Sequence, residues 1–363
     1  MKKLLVIRFS ALGDVAMVLP VIKALADAYP DWDITMLSKK QWASLFLDLP
    51  DNVHFFGADL KGKHSGLAGL NRLLHDLKYW EFDAVADLHA VIRTLYLRHR
   101  CLWRGKRVAH LHKDRYQKWL LVRHFYQYKH PLQSTVSRYR TVLEELGFEF
   151  NIPFPHGISN VRELYGNSTG IVRELYGNST EQTRVASGIG IAPFAAHKGK
   201  IYPLDKMKEV VKQLSERLHA KAEREGTECE KIYLFGAGPK EKEILQSWAK
   251  RYEHVECLVG KYTMDEEIRF MSTLRLMITM DSANMHLASL VGTRVLSIWG
   301  ATHPWAGFLG YGQSENDCIQ LSIPCRPCSI YGNRRCKFGD YRCLDIEPRN
   351  IVERVLGALA VEA

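Results

Sequence analysis

Residues 3–25 read KLLVIRFSALGDVAMVLPVIKAL, a strand, a turn and a helix in succession. The apolar run Leu4 to Phe9 suits a strand buried on both faces. A turn of small residues, Ser10-Ala11-Leu12-Gly13, then leads to Asp14, and apolar residues at helical spacing run from about Val15 to Ala28. Lys2 and Lys3 ahead of an apolar run also suit a secretion signal, but Arg8 interrupts the run and no small-residue cleavage site follows. A first buried strand is therefore expected, in a protein that stays in the cytoplasm. Lacking G-x-G-x-x-G, the turn gives no support to a dinucleotide-binding oxidoreductase.

The strand–helix rhythm continues outward from this unit. Strands are predicted at Asp33–Leu37, Val53–Gly57, Ala84–Leu88 and Arg107–Leu111, with amphipathic helices at Leu67–Tyr79 and Tyr116–Tyr126. The rhythm stops near residue 150, where VRELYGNST at 161–169 recurs at 172–180. Two copies are too few for a stacked-repeat fold, which needs about three or more, so this segment is expected to be a tolerant linker. The rhythm restarts with strands at Gly188–Phe194, Lys231–Phe235, Val255–Leu258, Leu276–Met280 and Arg294–Trp299. Helices are predicted from Pro203, Lys240 and Met264, at Ala283–Leu290, and at the end of the chain. This pattern predicts an α/β protein with two doubly wound, mostly parallel domains, residues 1–155 and 188–345. A linker at 156–187 joins them and a helix at 346–363 follows. Ligands of such sheets bind at the carboxyl ends of the strands.

A length of 363 residues accommodates two domains, and 46% hydrophobic with 25% charged residues is the profile of a globular chain. No apolar run approaches the roughly 20 residues needed to span a bilayer. The formal charge is +10, and it is concentrated. From Arg93 to Lys129 there are eleven Lys or Arg against the single acid Asp114, interleaved with Trp103, Tyr116, Trp119, Phe125 and Tyr126. Such a field attracts polyanions, whether nucleic acid, phosphorylated glycolipid or an anionic membrane surface. A nucleic-acid-binding protein would explain the charge but not the strand–turn–helix units.

Chemistry concentrates in two places. Asp14, at the end of a strand and the start of a helix, serves equally as a helix cap or a reactive carboxylate. The second place is ITMDSANMHLASLVGTRVLSIWGATHP, residues 278–304. Ser282, Ala283 and Asn284 open a helix whose free N–H groups and dipole suit a phosphate.

These two stretches, RFSALGD with its Leu-Pro helix and D-S-x-x-x-H-L-A followed by G-x-T-x-P, resemble the signatures of the ADP-heptose:lipopolysaccharide heptosyltransferases of glycosyltransferase family 9. The resemblance runs from Lys3 to roughly Gly310. It implies a GT-B fold, two such domains facing a cleft, and inverting transfer of heptose without a metal. Asp14 falls at the family's catalytic base and Lys200 at a lysine that contacts the donor diphosphate. Ser10, Gly13, Gly236, Gly238, Tyr262, Asp281, Ser282, Ala283, His286, Gly300 and Thr302 fall on the donor side. Asp281 would bind donor-sugar hydroxyls or cap the helix, His286 would donate to the diphosphate, Gly236 and Gly238 would admit the nucleotide closely, and Tyr262 would stack on the base. Arg93, with Arg107, Lys113 and Arg115 from the basic run, falls on the acceptor side. An anionic, membrane-embedded Kdo–lipid A acceptor would account for that charge and for peripheral contact with the inner membrane, with no role for nucleic acid. No cofactor is required, and no D-x-D metal motif stands at a strand end. Cys325, Cys328, Cys336 and Cys343 leave two expectations open, a structural zinc site or reduced thiols.

Overall fold

The computed structural model describes residues 1–47, 49–123, 130–153 and 188–360. The duplicated linker and the basic-run residues Phe125, Tyr126 and Lys129 lie outside the described residues. Contacts divide the chain into two units. One is Met1–Arg115 with Gln133–Phe154, and the other is Tyr116–Leu132 with the described residues from Gly188 onward.

The first unit opens with β1 (Lys2–Ile7). The single helix predicted from Val15 is two helices, α1 (Leu12–Ala16) and α2 (Leu19–Ala28). Pro20 explains the break: it lacks an N–H and its ring excludes the carbonyl four residues back, yet it fits the first turn of a new helix. The unit continues through β2 (Trp32–Lys39), β3 (Val53–Ala58), α3 (Gly66–Asp76), β4 (Ala84–Asp87), α4 (Ile92–Leu102) and β5 (Arg107–His110). The chain then passes through α5 (Arg115–Arg123) and α6 (Thr135–Glu144). The sheet is wholly parallel, in the order β3-β2-β1-β4-β5. Leu4, Leu5, Val6 and Ile7 are all buried, as a strand covered on both faces must be.

The second unit runs β6 (Gly188–Ala192), α7 (Leu204–Glu225), β7 (Lys231–Leu234), α8 (Gly238–Ala249), β8 (Val255–Cys257) and α9 (Met264–Thr273). It ends with β9 (Leu276–Met280), α10 (Ala283–Leu290), β10 (Arg294–Trp299), β11 (Cys318–Gln320) and α11 (Pro348–Ala360). Its parallel sheet has the order β11-β10-β9-β6-β7-β8. Counted from the unit's own first strand this is 3-2-1-4-5-6, the dinucleotide-fold order, with its switch point between β6 and β9. The corresponding switch point of the first sheet lies between β1 and β4.

The sequence assigns the helix after Arg115 to the first domain, but from Tyr116 it groups with the second unit. Lys118 is buried there, its Nζ 5.7 Å from the Phe308 ring centroid and 5.9 Å from that of Tyr331, a cation–π arrangement. One charge of the basic run is thus committed to packing rather than to a partner.

Candidate functional site

In the first unit, the loops after β1 and β4 meet at the switch point. Asp14 is the third residue of α1, where its Oδ2 accepts from the Ala11 N–H at 3.1 Å. The same oxygen lies 2.6 Å from Arg8 Nη2, and the Asp14 side chain is 30% exposed. Arg8 is buried and spans the two loops, its Nη1 donating to Leu88 O at 2.6 Å. Burial opposes its charge, but Tyr139 and Asp14 outweigh burial and hold the guanidinium above its usual range. The fully buried Tyr139 donates to Asp14 O at 3.1 Å, and Arg8 lies 5.7 Å over its ring. Asp14 is therefore a fixed, solvent-reaching carboxylate against a permanent cation.

Two residues that the sequence reading leaves out complete this cluster. His89 Nε2 lies 3.3 Å from Ser10 Oγ, and its Nδ1 meets no hydrogen-bond partner among the described residues. Burial, and after it the Arg8 charge, pushes the imidazole down to about 3, so it is neutral at pH 7. Asp87, wholly buried at the end of β4, shapes the loop by accepting from His89 N at 3.0 Å and Ala90 N at 2.9 Å. Arg98 Nη1, 3.4 Å from its other oxygen, balances its charge. The signal was present in DLHA at a strand end. What the sequence lacked was that β4 lies beside β1.

The acceptor-side residues separate. Lys113 reaches toward this cluster: burial, then Arg115 and Arg8, pushes its ammonium down. Arg93 is exposed in the first turn of α4, and Arg115 is exposed at the start of α5. Arg107 corrects the sequence expectation. It opens β5, at the amino end of a parallel strand, while Asp14 follows the carboxyl end of β1. There it donates to Leu146 O at 2.9 Å and lies 5.9 Å over the Trp32 ring.

In the second unit, the loop after β6 meets those after β9 and β10. Lys200 closes a short turn, Lys198–Lys200, and its Nζ lies 2.8 Å from Asp281 Oδ2. Buried Thr302 donates to the same oxygen at 2.8 Å. Asp281 therefore does not cap α10. The cap residue is Ser282, which makes no side-chain cap bond, its Oγ lying 3.1 Å from Thr279 Oγ1. Among the described residues no side chain caps the first N–H groups of α10, from Ala283 onward, which suits them to an external acceptor. His286 is buried one turn in. Gly300 is required by close approach: a Cβ there would meet Gly199 O at 2.5 Å, beside the Ala301 N–H bond to that same oxygen. Gly332, at φ +73°, is likewise obligatory, because a Cβ would strike the Lys200 stem at 2.6 Å.

The turn at Gly236 and Gly238 departs from a phosphate cradle. Glu241 Oε2 accepts from Ala237 N at 2.7 Å, placing a carboxylate where an anion would have to sit. Tyr262 stacks on Phe270, centroids 5.5 Å apart at 26°, so one ring face is already used. The four cysteines are free thiols, and burial pushes Cys343 up to about 11. Among the described residues, the one group of three or more His, Cys, Asp or Glu ligand atoms within 4.8 Å of one another lies elsewhere in this unit. Cys325 and Cys336 act electrostatically on Cys328, and Cys328 and Cys325 on Cys343, so the four thiols lie in one neighbourhood.

The model of glycosyltransferase family 9 (heptosyltransferase) matches residues 70–338. A lipooligosaccharide heptosyltransferase 2 of Campylobacter jejuni is 28% identical over 139 residues, 35% of this chain and 40% of that protein, so the chain spans less than half of this curated relative. Among solved structures, a family 9 glycosyltransferase from Veillonella parvula has a TM-score of 0.69 at 21% identity, covering 100% of this chain and 98% of that one. The E. coli ADP-heptose lipopolysaccharide heptosyltransferase II has 0.63 at 18%, covering 100% and 99%. These likenesses show the GT-B fold, and with the match of the family model over most of its length, this chain belongs to glycosyltransferase family 9, the heptosyltransferases.

Proposed function

We propose that the chain is an inverting glycosyltransferase that moves a heptose from ADP-heptose to an anionic lipopolysaccharide inner-core acceptor. The observation that carries this is Asp14, a partly exposed carboxylate held 2.6 Å from a buried guanidinium at a sheet switch point. An acceptor hydroxyl transfers its proton to Asp14 as its oxygen attacks the anomeric carbon. The C–O bond to the diphosphate breaks from the opposite face, so the configuration inverts in one step and no second carboxylate nucleophile is needed. The leaving diphosphate gathers charge, which Lys200 Nζ and the first amides of α10 neutralise, a role that calls for no metal. Asp281 then acts as a positioning residue that aims Lys200, and not as a ligand of sugar hydroxyls. The name of the E. coli enzyme, an ADP-heptose transferase, supports the choice of donor.

The acceptor side rests on charge and exposure. Arg93, Lys113 and Arg115 offer cations to phosphates, while Ile92, Leu102 and Trp103 are exposed on or beside α4. Basic and apolar groups on one short helix suit peripheral contact with an anionic membrane face. Among the described residues no helix is long and apolar enough to cross a membrane. Incubation with ADP-heptose and a truncated core acceptor should add one heptose, with the inverted anomer read by NMR. Absence of both transfer and ADP binding overturns the proposal. ADP binding without heptose transfer points to a different nucleotide sugar.

A further inference from the structure

We propose that His219, Cys229 and His254 form a binding site for a zinc-class transition metal ion, remote from the transferase chemistry. Their ligand atoms all lie within 4.8 Å of one another. The His219 and His254 rings are stacked, centroids 5.5 Å apart at 25°. Two imidazoles and a thiolate are the donor set that zinc prefers, three ligands leaving one position for water. With metal–nitrogen bonds of about 2.0–2.1 Å and a metal–sulfur bond of about 2.3 Å, a tetrahedral sphere needs ligand separations of about 3.5 Å. Side-chain rotation of about an ångström closes the present group onto an ion.

The site is assembled from three segments that the fold holds together. His219 lies in the last third of α7, Cys229 in the loop that follows this helix, and His254 in the turn just before β8. Ser215, one turn before His219 on the same helix face, donates to Glu253 O at 2.8 Å, which pins the turn carrying His254 against α7. His254 itself has φ +57°, and its carbonyl accepts from Ile232 N at 2.8 Å, fixing the turn to the start of β7 as well. Glu223, one turn after His219, places Oε1 3.4 Å from His219 Nε2, the carboxylate–histidine pairing that orients metal-binding imidazoles. The chain spacing of the ligands matches no paired-cysteine motif, which is why the sequence does not announce them.

All three ligands lie at the amino ends of β7 and β8, whereas Lys200, Asp281 and Thr302 follow the carboxyl ends of strands in the same parallel sheet. An ion here would clip the end of α7 to the sheet and stabilise the second unit, because metal affinity for a folded site is folding free energy.

Cobalt(II) titration of the metal-free, full-length protein tests this, since cobalt reports thiolate ligation in its spectrum. The expected result is a thiolate-to-cobalt charge-transfer band in the near ultraviolet, together with a zinc-dependent rise in Tm. Cys229→Ser should abolish the part of the band due to this site and the Tm rise. His254→Asn, chosen because Asn also tolerates positive φ, should weaken cobalt binding by at least about tenfold. A wild-type protein without the band, or one whose band and Tm response survive unchanged in both variants, overturns the site.

Discussion

Lys200→Met tests the Lys200–Asp281 pair. Its Nζ–Oδ2 distance is 2.8 Å, with side chains 15% and 5% exposed. Removing one member of a buried ion pair costs about 3–5 kcal/mol, because the other charge remains uncompensated. Thr302 still donates to Asp281, and the position of Lys200 is partly open to water that can reach the remaining carboxylate, which reduces the expected loss to about 2–4 kcal/mol. For a unit of this size that is a fall in Tm of about 5–15 °C. Asp281→Asn keeps an oxygen for Thr302 but leaves the ammonium facing an amide, and should cost a similar amount. The double variant should be far less destabilised than the sum, with a coupling of about 1.5–3 kcal/mol in urea unfolding. Additivity within about 0.5 kcal/mol would refute a direct pair. In the same proteins calorimetry should show Lys200→Met weakening ADP binding about ten- to a hundredfold, the range for a lost charge-assisted bond. Unchanged ADP affinity would move the diphosphate role to the exposed Lys198.

Asp14→Asn should leave ADP binding unchanged and lower kcat by roughly 10²–10⁴, the range for losing a general base; near-normal turnover of the folded variant removes Asp14 from the chemistry. Lys113→Ala with Arg115→Ala should raise the acceptor KM and flatten its salt dependence without moving the donor KM. Arg107→Gln should change neither, because it sits at the opposite end of the sheet, and an equal effect of Arg107 would contradict that placement. His89 and His303 are both pushed down to about 3, first by burial and then by Arg8 and Arg326 respectively. Their folded values lie below the unfolded value of about 6.5, so the stability they contribute is complete above pH 6.5 and is lost as pH falls toward 3. Urea midpoints measured from pH 7 to 4 should fall less steeply in His303→Asn than in the wild type, and parallel slopes would exclude His303 from the acid response.

The succession of elements is legible along the chain, because burial on both faces of a parallel strand and the apolar stripe of a helix are local patterns. Leu276–Met280, Ala283–Leu290 and Arg294–Trp299 coincide with their predicted bounds, each an apolar run or stripe bounded by Arg, Asp-Ser or Gly. The same locality made Asp14 visible as a carboxylate between a strand and a helix, whereas Lys200 was singled out only by the resemblance to the family's motifs. Local pattern could not reveal that Lys200 and Asp281 bond to each other, nor that β4 lies beside β1 and so brings His89 to Ser10. A parallel sheet joins strands through crossovers, so their lateral order is set by how helices pack over the sheet and not by any single segment. Tertiary structure also decided which charges stay available. Arg107 is tied to Leu146 and Trp32, and Lys118 is packed between Phe308 and Tyr331, although along the chain both read as parts of one basic run. Charge is legible residue by residue, but desolvation and pairing depend on partners tens to hundreds of residues away, which only the folded chain brings into reach.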